Sequence, residues 1–287
     1  MSVKTQVLRA AAAAVAATAL LLPAACGTTN DTATDANVDS SDITQQTVTP
    51  GTLTIATGDP AYTPWVLNDD PESGEGYEAA VAYAVAEQLG FSEDDVQWVR
   101  TTFDAAIAPG AKDWDLNIQQ FSITDERKQA VDFSPSYYNP TQAVVVRQDS
   151  PYASATSIDE LKDATIGAMV GTTSYDFAKE LIKDDIQTFN DNAMLAQALA
   201  ANQIDALVVD SPTAVNIVES GQVENGVVLG QIPDSEDPQG MGIVLPKDSV
   251  LTDAVTDAVN ALIEDGTLAA LQEQWLAEYT TDIPTLE

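Results

Sequence analysis

The chain has no histidine and one cysteine, and its 11 basic residues stand against 45 acidic ones, for a net charge of −34. Each scarcity excludes something. Without histidine there is no Ser-His-Asp triad. With one cysteine there is no intrachain disulfide, and the usual nitrogen and sulfur ligands of zinc and copper are missing. So negative a surface repels nucleic acid and anionic lipid head groups, which removes both as partners of the folded part. There is no P-loop, no G-x-G-x-x-G ahead of a helix and no internal repeat, and no cofactor is implied. The acidic clusters at Asp69 and Asp70, at Glu93, Asp94 and Asp95, and at Asp184 and Asp185 lack the spacing and central glycine of a calcium loop. They read as solvated turns and helix ends. Acidic residues are spread along the whole chain, so the charge is a solubility trait and does not identify a ligand. Carboxylates are too plentiful for a catalytic pair to be excluded by counting.

Long apolar runs are also missing. The longest covers residues 10–22, follows the basic Lys4 and Arg9, and leads into PAAC ending at Cys26. It is too short to span a bilayer with polar flanks and reads as a signal peptide over residues 1–25. Cys26, followed by Gly27, resembles a bacterial lipobox cysteine, although Pro23 stands where leucine is usual. That implies a lipidated first residue anchored to the outer face of the cell membrane. The alternative is ordinary cleavage that leaves a free thiol. Residues 27–50 are rich in Thr, Asp, Asn, Ser and Gln and have almost no apolar side chains, so residues 26–50 are expected to be a disordered tether. The globular part then starts near residue 52. About 235 residues remain, enough for two lobes of ordinary size.

Within that part, short apolar strands alternate with helical patterns. Strands are predicted at 52–56, 96–99, 115–118, 143–146, 164–170, 205–210, 227–229 and 242–246. Helices are predicted at 77–89, 175–182, 193–201, 214–219, 250–263 and 268–279. Val81, Val85 and Leu89 share one face of the first helix, and Gly90 closes it. The alternation implies α/β layers with mainly parallel sheets.

The stretch QQFSITDERKQAVDF, residues 119–133, sets a lone Arg127 among short polar residues just after a strand. The guanidinium fork suits a carboxylate. The plainer alternative is a surface arginine paired with Asp125 or Glu126.

Seven motifs in order resemble the polar amino-acid-binding proteins of ABC importers, over residues 51–279. They are GTLTIATGDPAYTPW (51–65), GYEAAVAYAVAEQLG (76–90), WDLNIQQFSITDER (114–127) with VDFSPSYY (131–138), IGAMVGTTSYDF (166–177), NQIDALVVDSPTA (202–214), GMGIVLPKDS (240–249) and DGTLAALQEQWL (265–276). Their order and spacing carry the resemblance; no single motif does. It implies an α/β, two-lobed periplasmic-binding-protein-like fold of type II with two crossing hinge strands, at 142–146 and 242–245. Lobe 1 would be residues 52–141 plus 242–287 and lobe 2 residues 142–241.

The resemblance also implies a site. Arg127 matches the clamp on an α-carboxylate, with Ser122 beside it. Thr173, next to Ser174, matches the first turn of a lobe 2 helix, where it could equally be a plain cap. Asp210 matches the acceptor of an α-ammonium, or else caps the helix after Pro212. Asp59, Tyr62, Trp65 and Phe103 match positions around the ligand side chain, though each could be a turn or core residue instead. Gln119 and Gln120 depart from the small residues common there, and Glu78 departs from the usual pattern of the first helix, a change expected to matter only for structure. The implied protein is a monomeric, non-enzymatic receptor that closes on a polar or basic L-amino acid and delivers it to ABC permease subunits. A sensor lobe, or a cyclohexadienyl dehydratase-like enzyme on the same fold, are the alternatives.

Overall fold

Alternate residues of a buried strand face opposite sides of its sheet, and the central strands here are apolar on both. Ala143 and Val145 enter one core cluster while Val144 and Val146 enter another. A strand of this kind must be covered on both faces, which is why helices flank the sheets.

The computed structural model describes residues 42–280 and 282–287. The signal peptide, Cys26 and the tether up to residue 41 lie outside the described residues. In chain order the elements are β1 (Leu53–Gly58), α1 (Tyr77–Gln88), β2 (Val96–Thr101), α2 (Phe103–Ile107), β3 (Leu116–Asn117), β4 (Val131–Tyr138) and β5 (Gln142–Arg147). Then come β6 (Ile166–Met169), α3 (Thr173–Phe177), β7 (Ile186–Phe189), α4 (Asn192–Ala200), β8 (Ala206–Asp210), α5 (Ser211–Glu219), β9 (Gly226–Gln231), β10 (Met241–Pro246), α6 (Thr252–Glu264) and α7 (Thr267–Thr280).

There are two five-stranded sheets among the described residues, ordered β2-β1-β3-β10-β4 and β7-β6-β8-β5-β9. Each is mixed rather than mainly parallel. β1 runs parallel to β2 and β3, while β10 is antiparallel to β3 and β4. The second sheet repeats this, with β6 parallel to β7 and β8 and β5 antiparallel to β8 and β9. The chain leaves the first sheet between β4 and β5 and returns between β9 and β10. β5 and β10 begin directly after these passages and so enter their sheets against the parallel strands.

In the first lobe, Val81, Val85 and Leu89 are all buried, as their spacing predicts, and Gly90 ends α1 at φ 88°. Trp65 and Tyr77 fill this core with strands β1 and β10 and helices α6 and α7. Gly76 stands at φ 104°, and a Cβ there would come within 2.6 Å of the Trp65 carbonyl oxygen. Only glycine fits.

Three expectations need correction. Residues 42–50 are not a free tether: the Asp115 carboxylate accepts the Val48 N–H at 2.7 Å and the Thr54 N–H at 2.8 Å, docking the segment on the first lobe. The strand expected at 115–118 is only two residues long, although Asp115 and Ile118 on either side still donate to the Thr54 and Ala56 carbonyls of β1. And the end of the chain leaves the first lobe. Gln231 donates to the Pro284 carbonyl at 2.7 Å and accepts from Leu286 at 2.9 Å, while Leu286 is buried in the second-lobe core. α7 itself packs on α1 of the first lobe and α5 of the second.

Candidate ligand-binding site

Strands β1, β3 and β8 run toward the cleft with their carboxyl ends, and the β6–α3 and β7–α4 turns open on the same space. In open α/β sheets this is where ligands bind. The cleft holds a cavity of about 190 Å³, room for one small solute.

Arg127 opens a short 3-10 turn and is only 9% exposed. Its Nη1 donates to the Ser122 carbonyl at 2.7 Å and its Nη2 to the Gly171 carbonyl at 2.8 Å. Ser122 belongs to the first lobe and Gly171 to the second, so the guanidinium spans the cleft. It lies 5.4 Å from the centre of the Phe103 ring, which is stacked on Phe121 at 4.5 Å. Burial lowers its pKa while Asp237, Asp176, Glu126 and Asp210 raise it, and it remains a cation. The surface-pairing alternative fails, because Asp125 meets Lys128 at 3.8 Å and Arg127 forms no ion pair among the described residues. A guanidinium has five N–H donors, and carbonyls use two.

Asp210 ends β8 and stands at the head of α5, but its side chain makes no capping bond. It accepts instead from the Gln142 amide at 2.9 Å. Burial pushes its pKa up to about 7; the Gln142 bond and Arg127 pull it down, and Asp237 and Glu78 push it up. The cavity wall thus contains a half-buried carboxylate without a cation as well as a buried cation without a carboxylate. For Thr173 the cap alternative also falls away, since Thr172 holds that place by accepting the Tyr175 N–H at 3.2 Å. Thr173 Oγ1 is free to meet Ser122 Oγ across the cleft at 2.9 Å.

Gln119 and Gln120 line the cavity behind these groups. Gln120 adopts φ 52°, and both its backbone N–H, at 2.7 Å, and its side-chain amide donate to Glu78. Glu78 also accepts from the Tyr137 hydroxyl, and burial pushes its pKa up to about 7 against those three bonds. The unusual acid of α1 is thus the clamp that holds the unusual glutamine in a left-handed conformation.

Asp59, Tyr62, Phe103 and Ser174 line the cavity too, so ten of the eleven expected residues come together. Trp65 does not. It is fully buried in the first-lobe core, edge-on to Tyr138 at 5.6 Å, and its indole N–H donates to Thr213 Oγ1 at 2.9 Å. Residues 190–192 also line the cavity and were not foreseen. Asp191 there faces Tyr62, whose hydroxyl is pushed up to about 12 by burial first and Asp191 second. The turn-forming run NDN after a weak strand was the available signal. Arg100, the other first-lobe arginine near a site strand, is spent on Asp69 at 2.6 Å and the Gly58 carbonyl at 2.8 Å.

The family model for bacterial extracellular solute-binding proteins, family 3, matches residues 53–278. The chain belongs to that family. It is a solute-binding protein of the amino-acid ABC transporter type and not an enzyme. The L-cystine-binding protein TcyJ of Escherichia coli K12 is 29% identical over 235 residues, covering 80% of this chain and 85% of TcyJ. The arginine-binding extracellular protein ArtP of Bacillus subtilis is 30% identical over 205 residues, 70% of this chain and 77% of ArtP. Among solved structures, an ancestral arginine-binding protein bound to arginine superposes with a TM-score of 0.66 at 29% identity, covering 78% of this chain and 98% of that one. The binding protein shares with it the two-lobed type II architecture.

Proposed function

We propose that the binding protein captures one polar or cationic L-α-amino acid in this cavity by closing its lobes, residues 52–141 with the return from 242 against residues 142–241, and passes it as a monomer to ABC permease subunits. One observation carries the reading: among the described residues, a buried guanidinium and a half-buried, cation-free carboxylate at the end of β8 face the same small space. Arg127 takes the α-carboxylate, with Ser122 and Thr173 beside it, and Asp210 takes the α-ammonium. Asp59, Tyr62, Phe103, Gln119, Gln120 and Ser174 surround the side chain. Asp59 and Asp191 put negative charge there and Arg100 is occupied, so glutamate and aspartate are rejected. The relatives named for arginine and cystine fit this choice.

A thermal-shift screen of the mature protein against the common amino acids tests the reading. At about 100 times its dissociation constant a ligand stabilises the fold by about 2.7 kcal/mol. Arginine, lysine, histidine or glutamine should shift the transition and glutamate should not. Tightest binding of glutamate would overturn the assignment of the side-chain end.

Binding should depend on pH through Asp210, whose pKa in the ligand-free protein is about 7. An ammonium favours the ionised carboxylate, so below that pH each binding event releases a proton. Affinity is then full above about pH 7 and falls about tenfold per unit below it. The ligand-free fold follows the opposite sign. Asp210 and Glu78, raised from 3.8 and 4.5 to about 7, take up protons on folding, and the stability they supply declines as pH rises between those values. Calorimetry across this range on wild type and Asp210→Asn checks it; an equally steep profile in the variant would remove Asp210 from the role.

Cys26 we assign as the lipidated first residue of the mature protein. Cys26→Ala should then move from the membrane fraction to the soluble secreted fraction. Unchanged attachment would return the cysteine to a free thiol.

A further inference from the structure

Behind the cavity wall lies a buried acid that the binding scheme leaves unused. Asp237 is 2% exposed and belongs to the segment that returns from β9 to β10, between the two sheets. Its Oδ2 accepts from Thr173 Oγ1 at 3.3 Å, and the nearby Ser122 hydroxyl helps offset the rise that burial gives its pKa. Those two hydroxyls are themselves 2.9 Å apart. Ser122 follows β3 of the first sheet, and Thr173 opens α3 on the second. Three separate parts of the chain, one on each lobe and one on the passage between them, therefore meet at one carboxylate. Asp237 is also first among the acids that raise the pKa of Arg127.

We propose that Asp237 is a positioning residue, whose carboxylate gathers the Ser122 and Thr173 hydroxyls across the cleft and so sets how much of the protein is closed before ligand arrives. A hydroxyl has one proton to give. Thr173 gives its proton to Asp237, so its oxygen is left to accept from Ser122 across the cleft, and Arg127 remains the donor facing the ligand. Opening separates Ser122 from Thr173 and breaks the hydroxyl chain that ends on the carboxylate. The bonds it makes thus exist fully only in the closed form and favour that form without any ligand. Ligand enters the open form and is held by the closed one, so the more the closed form is favoured, the more slowly ligand escapes.

The proposal rests on the cleft being the amino-acid site, and the test separates the two. Spin labels at Asp94→Cys and Asp184→Cys, exposed positions on the two lobes, report the interlobe distance in a Cys26→Ser background. Without ligand, Asp237→Leu should shift that distribution toward the open form, and Asp237→Asn, which keeps one acceptor, should shift it less. Stopped-flow binding of arginine and of glutamine should show dissociation about tenfold faster in Asp237→Leu, about threefold faster in Asp237→Asn, and association within about twofold of wild type. General loosening of the fold would not split the rates in this way. An unchanged distance distribution in both variants overturns the proposal. So does tighter binding, which would mean that Asp237 merely repels the ligand carboxylate. If wild type binds neither probe, the proposed function fails, and the ligand-free distances still decide the role of Asp237.

Discussion

Arg127→Ala should weaken amino-acid binding by at least about 2 kcal/mol, roughly thirtyfold. The size follows from what the cavity offers in its place. Arg100 is tied to Asp69, and no other cation among the described residues lines the space. A ligand carboxylate entering the variant would lose its water and meet no opposite charge. The loss has a second part, because the guanidinium also bonds the Ser122 and Gly171 carbonyls from opposite lobes. Its removal takes away a cross-cleft tie along with the clamp. Arg127→Lys should recover little, since a single ammonium cannot hold two carbonyls and a carboxylate in the planar arrangement of a guanidinium. Titration calorimetry with the best ligand decides this, and near-normal affinity in the alanine variant would end the clamp assignment.

Trp65→Ala should do the reverse, costing the fold about 3–5 kcal/mol while touching no ligand. A ring with no exposed surface leaves a large void among Tyr77, Tyr138 and the first-lobe strands. It also strands Thr213, which loses the indole N–H at 2.9 Å. Against the 5–15 kcal/mol typical of a whole domain this is a large fraction. Trp65→Phe should keep most of the packing and lose the Thr213 bond, at a cost of about 1–2 kcal/mol. Urea unfolding monitored by circular dichroism supplies the numbers. If Trp65→Phe unfolds like wild type yet binds much more weakly, the ring contacts ligand after all.

Much of the architecture was legible because it is written locally. β5 and β8 are apolar runs bounded by turns, and α1 carries its buried face at helical spacing. Asp210 stood out as a carboxylate where the chain leaves a strand, and Arg127 as a lone cation among short polar residues. What could not be read depends on partners far away in sequence. The segment 42–50 looks like a linker by composition, yet Asp115, 67 residues from Val48, docks it. Trp65 sits in a ligand-loop motif, and whether its ring turns outward or inward is decided by Thr213, 148 residues on. β7 was missed because its two central residues are exposed and polar, which leaves only two apolar positions to show a period. Asp237, in a run of acid, proline and glycine, looks like any solvated turn; its hydroxyl partner Thr173 is 64 residues earlier. The direction of β5 and β10 was hidden for a similar reason. An apolar strand reads the same whichever way it enters a sheet.

Gln231 grips residues 284 and 286, and α7 leans on both α1 and α5. The two lobes are therefore tied by three strings rather than two. A body hung on two nearby strings can both swing and twist. A third beside them, joined at Gln231 where the return passage begins, makes a broader strap that resists twist and leaves a motion closer to a single arc. Under the proposed delivery to a permease, that is a way to make the closed form one shape instead of several.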